Sequence, residues 1–280
     1  MPALARATTV AGLPATLLQL PQGDQLTVVH HGAQVLSWVS GGRERLYLSP
    51  RSHLDGERPI RGGIPVCFPQ FNQRGPLPKH GFVRQLPWAP QAPHLHDDAA
   101  HLSFALVHGA ATRAYWDHAF EARLQIELRP GQLQVALCVH NLDARPLAFT
   151  GALHSYLAVQ DIAQTALQGL AGRAEWDAVR DQHGHGAETL RFGDEFDRVY
   201  SAAPAPLTLH DGAQRLRIAQ DEAWANTVVW NPGAARCAQM DDMPTDAWHH
   251  FVCVEAAQVH QPITIAPGEV WQAAQQLQLA

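Results

Sequence analysis

Hydrophobic and polar residues alternate with a period of two along much of this chain. In residues 132–140 the alternation places Leu133, Val135 and Leu137 on one face, and residues 120–128 alternate in the same way. This period is typical of β-strands with one buried face. Similar runs predict further strands at 25–30, 34–39, 101–107, 147–159, 226–230, 249–259 and 271–279.

Turn-forming residues separate these runs. Asp211-Gly212 predicts a hairpin, although a longer loop also fits, and Pro267-Gly268 predicts a turn. Residues 180–188 are rich in polar residues and glycine, and we expect them to form an exposed loop. The sequence shows no long amphipathic helix, no fixed-period repeat and no dividing linker. It therefore predicts one all-β domain over residues 1–280, either a sandwich or a barrel.

Composition narrows the class of protein. The 280 residues include 20 Lys plus Arg and 26 Asp plus Glu, a formal net charge of −6, which disfavours a general nucleic-acid binder. No apolar run approaches the roughly 20 residues of a membrane helix, and the first 20 residues do not resemble a secretory signal. Four widely spaced cysteines form no CxxC motif, and we expect Cys138 and Cys253 to be buried thiols in a cytoplasmic protein.

Residues 61–88 concentrate glycine, proline and aromatic residues around Arg61, Lys79, His80 and Arg84. Glycine and proline together favour an irregular, rigid backbone of the kind that holds side chains at a site. A surface connection with incidental charge explains this segment equally well when it is taken alone.

Six motifs, in order, carry a resemblance to a known family: RGGIPVCFPQF, LPKHGFVR, ALHSYLAVQDI, FDRVY, VVWNP and FVCVEAAQV. In these segments the chain resembles the D-hexose-6-phosphate mutarotase branch of the aldose 1-epimerase-like family, over residues 25–275. The resemblance implies a large sandwich of two antiparallel β-sheets. It also implies interconversion of the α and β anomers of a hexose 6-phosphate, without metal or cofactor.

Anomer interconversion requires a base that removes the proton from the O1 hydroxyl and an acid that protonates the ring oxygen. The resemblance implies that His154 is the general acid and that Glu255 is the general base, on opposite sides of the reacting bond. Each such group contributes roughly 10²–10⁴-fold. Glu255 follows an apolar run, so we expect burial to raise its pKa. The alternatives are a strand histidine bonded to a carbonyl and a strand-end glutamate facing water.

His80 and Asp197 match the family's substrate-holding positions, where we expect them to bond sugar hydroxyls, and Gln70 is a further candidate contact. For Asp197 an ion pair with Arg198 or a turn-forming role is nearly as plausible from the sequence. Arg61, Lys79 and Arg84 match the phosphate-binding residues of this branch. Arginine offers a planar fork of donors and lysine a compact charge, both suited to phosphate. Solvated loop charge is the alternative for these cations.

The chain departs from the family pattern at two places. Asn72 follows Phe71 where a glycine is usual, so the loop geometry there is open to change. The segment 241–248 contains Pro244, which leaves its contacts with substrate unpredicted.

Other functions remain to be weighed. His94 with His96 and His183 with His185 have metal-ligand spacing, but the sequence suggests no third ligand, so surface histidines are the better interpretation.

A mutarotase for unphosphorylated aldoses and a non-catalytic sugar-binding or sensing protein are the main alternatives to a hexose-6-phosphate mutarotase. A glycosidase generally needs two catalytic carboxylates, which these motifs do not supply. We expect a monomer that binds a small phosphorylated hexose and neither nucleic acid nor membrane.

Overall fold

The computed structural model describes residues 2–280. Its strands are β1 (Leu4–Val10), β2 (Leu13–Gln19), β3 (Gln25–Val29), β4 (Val35–Ser40), β5 (Arg43–Glu44), β6 (Val66–Cys67), β7 (Ala89–Pro90), β8 (His94–His96), β9 (Ala99–Val107), β10 (Phe120–Arg129), β11 (Gln132–Asn141), β12 (Leu147–Leu153), β13 (Tyr156–Ala158), β14 (Thr165–Gln168), β15 (Ala174–Asp177), β16 (Gln182–His185), β17 (Thr189–Arg191), β18 (Phe196–Ser201), β19 (Leu207–Asp211), β20 (Gln214–Gln220), β21 (Asn226–Asn231), β22 (Phe251–Ile265) and β23 (Val270–Leu279). The helices are short: α1 (Ala110–Arg113), α2 (Gly233–Cys237) and single 3₁₀ turns at Val83–Gln85, Ile162–Gln164 and Ala247–His250.

The strands form three antiparallel sheets. The small sheet has the order β1-β2-β3-β4-β5, and the ten-stranded sheet has the order β17-β14-β19-β20-β23-β11-β10-β9-β7, with β8 beside β9. The eight-stranded sheet has the order β16-β15-β18-β21-β22-β12-β6, with β13 beside β22. The prediction of an all-β fold with antiparallel sheets is confirmed, and the small N-terminal sheet is an addition to the two sheets that were expected.

The main core lies between the sheets, as the alternation predicts. Leu124 pairs with Leu137 and Ile126 with Val135 across β10 and β11, and all four side chains are buried. Full burial of such a side chain contributes about 1.5–3 kcal/mol. The same cluster includes Trp38 of β4 and residues of the eight-stranded sheet, so all three sheets share one core.

The structure confirms some of the local predictions and corrects others. Asp211 pairs with Gln214, so the predicted hairpin is confirmed and its loop is Gly212-Ala213. Residues 180–188 are not simply a loop, because β16 lies within them as an exposed edge strand. Cys138 is only half-buried, because it alternates onto the outer face of β11, whereas Cys253 is buried.

The turn at 267–268 joins two different sheets. It follows β22 of the eight-stranded sheet and precedes β23 of the ten-stranded sheet, so it connects the layers and does not form a hairpin. In the described residues 2–280 no helix has the length and hydrophobicity needed to cross a bilayer.

Candidate active site

One face of the eight-stranded sheet forms the floor of a cavity of about 310 Å³. On β22, Glu255 pairs with Val228 of β21, and on β18, Asp197 pairs with Trp230 of β21. Because side chains alternate along a strand, this register places these polar and apolar groups on the same face. The cavity is lined by Arg61, Phe71, Asn72, Arg74, Lys79, His80, His154, Trp176, Ala178, Glu195, Asp197, Val199, Val228, Trp230, Arg236, Gln239, Met240, Asp241, Asp242 and Glu255.

His154 and Glu255 are neighbours on this floor. His154 lies between β12 and β13, where its backbone N–H donates to the Pro65 carbonyl at 3.0 Å. Its Nδ1 lies 3.4 Å from Oε1 of Glu255, and the two residues are 8% and 1% exposed. The two side chains are therefore adjacent, whereas the sequence predicted groups on opposite sides of the reacting bond. A ligand in the cavity would meet them side by side.

Burial shifts the pKa values of Glu255 and His154 in opposite directions. Burial, followed by the charge of Asp197, raises the pKa of Glu255 well above its usual value. Burial, followed by the positive charges of Arg61 and Arg84, lowers the pKa of His154 well below its usual value. The carboxylate and the imidazolium are both disfavoured by burial, so the neutral forms of both side chains are favoured in the free protein. Because the two groups are adjacent, one of them can accept a proton from a ligand while the other donates one.

Part of the pair's hydrogen-bonding capacity is unused. Oε2 of Glu255 is buried and has no hydrogen-bond partner within residues 2–280. A buried polar atom without a partner costs about 1–3 kcal/mol. Because Glu255 lines the cavity, a ligand hydroxyl can supply the missing bond.

His80 lies beside this pair on a tightly packed loop. The backbone N–H of Asn72 donates to Nδ1 of His80 at 3.3 Å, so neutral His80 carries its proton on Nε2. Burial and the neighbouring His154 lower the pKa of His80 well below its usual value, which keeps the ring neutral. Asn72 adopts φ +50°, a left-handed conformation that glycine favours and that asparagine tolerates. The replacement of the usual glycine by Asn72 is therefore compatible with a left-handed backbone at this position. At Gly81 a Cβ would lie 1.9 Å from the Phe68 carbonyl, so only glycine fits there.

Asp197 projects into the cavity from β18. Arg198 alternates away from it and pairs with Asp177 at 2.5 Å and Glu175 at 3.4 Å. The ion pair of Asp197 with Arg198, an alternative raised by the sequence, is therefore not what the structure contains. Burial, followed by the charge of Glu195, raises the pKa of Asp197 to about 6.

Replacing Asp197 by Asn is expected to move the acidic limb of the pH profile of kcat/KM to lower pH. The negative charge of Asp197 raises the pKa of Glu255, so its removal lets Glu255 ionise at lower pH. The measurement is the rate of the anomer interconversion that the resemblance implies, between pH 4 and pH 8 for both proteins. An acidic limb that does not move would show that Asp197 and Glu255 are not coupled.

Two cations predicted from the sequence line the cavity together with Arg74, and a fourth, Arg236, was missed. Arg61 donates from Nε to Asp242 and from Nη1 to the Tyr156 hydroxyl, each at 3.0 Å. Lys79, the only lysine of the sequence, is exposed at the rim. Arg236 of α2 also lines the cavity, and its charge contributes to lowering the pKa of Lys79. The only sequence signal for Arg236 is its position shortly after the motif VVWNP.

Two predicted contacts do not line this cavity. Nη2 of Arg84 donates to the Lys79 carbonyl at 2.8 Å, so Arg84 supports the loop that carries Lys79. The side-chain amide of Gln70 donates to the carbonyls of Asn72 and Leu77 at 3.0 Å each, and it braces the same loop. Their direct contact with phosphate or sugar receives no support from the structure, because neither side chain lines the cavity.

Further lining residues come from segments that the sequence left open. Asp241 and Asp242 place part of the 241–248 segment at the cavity. Trp176 of β15, which the sequence analysis did not single out, lies under the guanidinium of Arg74 at 4.6 Å from its ring centre. Within residues 2–280 no group of three or more His, Cys, Asp or Glu side chains is arranged to hold a metal ion.

Comparisons with known proteins give the family of this chain. Residues 15–278 match the sequence profile of the aldose 1-epimerase family. A Salmonella typhimurium protein named "Putative glucose-6-phosphate 1-epimerase" is 39% identical over 239 residues, covering 82% of this chain and 79% of that protein. A Cenchrus ciliaris protein of the same name is 32% identical over 275 residues, covering 94% and 84%.

The fold comparison gives the same result. The crystal structure of a "putative mutarotase (YeaD)" from Salmonella typhimurium superposes with a TM-score of 0.91 at 33% identity, covering 99% of this chain and 94% of that one. The profile match spans nearly all of the chain, from β2 to the end of β23. This chain belongs to the aldose 1-epimerase family.

Proposed function

We propose that this protein interconverts the α and β anomers of a hexose 6-phosphate. The observation that carries the proposal is a single cavity that contains both the His154–Glu255 pair and the cations Arg61, Lys79 and Arg236. The names of the relatives that are 32% and 39% identical support the same substrate. A mutarotase for unphosphorylated aldoses would have no use for such a group of cations.

The adjacent placement of the pair suits the chemistry at the anomeric carbon. O1 and the ring oxygen are both bonded to C1, so a base and an acid side by side can reach both. In the form of the pair that carries its proton on His154, ionised Glu255 removes the O1 proton while His154 donates its proton to the ring oxygen, and the ring opens to the aldehyde. Rotation about C1–C2 and the reverse transfers close the ring on the other face. During ring opening Glu255 gains one proton and His154 loses one, and ring closure reverses both transfers. The net charge of the pair is therefore unchanged.

His80 and Asp197 hold the sugar for these transfers. Neutral His80 offers Nε2–H as a donor, because its Nδ1 already accepts from Asn72. Asp197, with a pKa of about 6, accepts from sugar hydroxyls once it is ionised. Trp176 and Trp230 add apolar surface to the cavity wall. Positioning of this kind is a large part of catalysis, because proton transfer needs a defined geometry.

The phosphate binds among Arg61, Lys79 and Arg236. Charge-assisted hydrogen bonds to phosphate are stronger than neutral ones, and arginine can donate two in parallel. Arg61 is held in place by Asp242 and Tyr156, and its Nη2 remains free of intramolecular bonds among the described residues. Four cations and five carboxylates line the cavity, so the cations offer the phosphate individual donors and not a net positive charge.

Exchange spectroscopy by NMR tests the proposal. The protein is expected to accelerate α/β exchange of glucose 6-phosphate above the spontaneous rate in the same buffer. Binding of the sugar phosphate without acceleration would contradict the proposal and establish a sugar-binding protein instead. Equal kcat/KM for glucose and glucose 6-phosphate would favour the unphosphorylated substrate.

Replacing Lys79 by Ala is expected to raise KM for glucose 6-phosphate by about 10- to 100-fold, because a hydrogen bond to a charged group contributes about 1.5–3 kcal/mol. KM for glucose should stay nearly unchanged. Steady-state kinetics on both sugars measure the effect, with the exposed Arg217→Ala on β20 as the matched control. An equal rise in both KM values would place Lys79 at the sugar ring and away from the phosphate.

The single lysine permits a direct observation of the phosphate subsite. Reductive methylation with ¹³C-formaldehyde labels Lys79 and the N-terminal amine only. The Lys79 methyl resonance is expected to shift when inorganic phosphate is added, and Arg236→Ala should weaken that response. A resonance that ignores both phosphate and glucose 6-phosphate would remove Lys79 from the site.

A further inference from the structure

Tyr156 connects the phosphate subsite to the general acid. Its ring stacks on the His154 ring, with centroids 4.7 Å apart and planes 9° from parallel. Its hydroxyl accepts a hydrogen bond from Nη1 of Arg61 at 3.0 Å. Tyr156 is 2% exposed and does not line the cavity, so it touches both functional groups from behind the site.

The Tyr156 ring has little freedom to move independently of these partners. It packs against Phe251 at 5.3 Å and against Trp230 at 6.1 Å, in addition to His154. Its backbone N–H donates to the Gly63 carbonyl at 2.9 Å, and β13 pairs with β22. Burial raises the pKa of the phenol, so the hydroxyl stays protonated. If Arg61 moves when it binds phosphate, the Tyr156 ring must therefore move with it. Because that ring stacks on His154, the position of the His154 ring changes as well.

We propose that Tyr156 is a positioning residue that couples phosphate binding at Arg61 to the general acid His154. The 6-phosphate then increases kcat as well as lowering KM. This inference rests on the proposed function, and it goes beyond it by assigning the phosphate a part in the chemical step. Binding energy from a remote group of a substrate can be used in this way to favour the transition state.

The charges around His154 also favour a higher kcat for the phosphorylated sugar. The charged and titratable groups around His154 are Glu255, His80, Arg61, Arg84 and Lys79, with Asp197 beyond Glu255. The three cations disfavour the imidazolium in the free protein. A phosphate dianion on the cationic side of the cavity offsets them, so the imidazolium that protonates the ring oxygen forms more easily. Unphosphorylated sugars bring no such negative charge.

The first test compares kcat for glucose 6-phosphate and glucose in the natural protein, with spontaneous rates subtracted. We expect kcat to be about 5- to 150-fold higher for the phosphosugar, the usual range of coupling between sites. Phosphite dianion is expected to raise the protein-dependent exchange of glucose, after correction for buffer catalysis. Equal kcat for both sugars, with no response to phosphite, would overturn the inference and leave the proposed function intact. Failure to accelerate exchange of either sugar would overturn the proposed function itself.

The second test uses Tyr156→Phe, which removes the hydroxyl and keeps the stacked ring. The ratio of kcat for glucose 6-phosphate to kcat for glucose is expected to fall by about 5-fold or more, and activation by phosphite should weaken equally. Tyr47→Phe is the matched control, because Tyr47 stacks on Phe251 at 4.8 Å in the same aromatic cluster and does not line the cavity. A loss of kcat that is equal on both sugars would show a merely structural role for Tyr156. If the variant melts below the assay temperature, the two kcat values are compared at a lower temperature at which Tyr156→Phe and Tyr47→Phe are both folded.

Discussion

Glu255→Gln is expected to lower the protein-dependent rate of anomer exchange by about 10²–10⁴-fold, the usual contribution of a general base. Gln keeps the size and a hydrogen-bonding end group, but it cannot accept the O1 proton. NMR exchange spectroscopy on glucose 6-phosphate measures the loss. Glu188→Gln, at an exposed position on the loop after β16, is the matched control and should retain full activity.

The same substitution is expected to stabilise the protein at neutral and alkaline pH. The folded-state pKa of Glu255 lies above its unfolded value, so its contribution to stability is largest at low pH and is lost as pH rises through the folded pKa. Gln has no proton to lose and removes that dependence. The melting temperature should rise by about 2–4 °C for each kcal/mol gained. A Glu255→Gln variant that is equally destabilised at pH 5 and pH 8 would contradict the burial argument.

His154→Asn is expected to lower kcat by a similar factor of about 10²–10⁴, because Asn cannot protonate the ring oxygen. The affinity for glucose 6-phosphate, measured by calorimetry, should change little, since Arg61, Lys79 and Arg236 remain. The control is His183→Asn on the exposed strand β16.

The pair also predicts the behaviour of the double variant. Residues that act as one unit lose activity non-additively, so Glu255→Gln with His154→Asn should be little slower than either single variant. Losses that multiply, with each residue contributing its full factor, would show that the two groups act in separate steps.

The local alternation of the sequence was sufficient to predict most of the strands and the face that each buries. Leu137 and Ile126 are buried because a period of two places them on the core side. The same period explains why Cys138 is only half-buried and why Asp197 lines the cavity while Arg198 pairs with Asp177 on the other face. The burial of Glu255 also follows from its apolar strand.

The adjacency of His154 and Glu255 could not be predicted from the chain alone. It depends on long-range pairing, because Tyr156 pairs with Cys253 while Ala152 pairs with Ala257, with a register shift elsewhere in the β12–β22 ladder. No local pattern reveals such a register. The distance of 3.4 Å between the two side chains is a property of the sheet as a whole.

The loops were the least predictable part of the site. The sequence places Arg84 and Gln70 beside true lining residues, but their side chains bond to backbone carbonyls of the loop they support. Arg236 lines the cavity only because α2, which carries it, directly follows β21 at the edge of the cavity. Motifs give the residue types of a site, whereas tertiary hydrogen bonds decide which of them face a ligand.

A crystal structure with glucose 6-phosphate bound tests the central claim most directly. The account predicts O1 within about 2.6–3.2 Å of a Glu255 carboxylate oxygen and the ring oxygen within the same range of Nε2 of His154. The phosphate should lie among Arg61, Lys79 and Arg236. A sugar whose anomeric carbon lies away from both His154 and Glu255, with its phosphate outside that group of cations, would contradict the account.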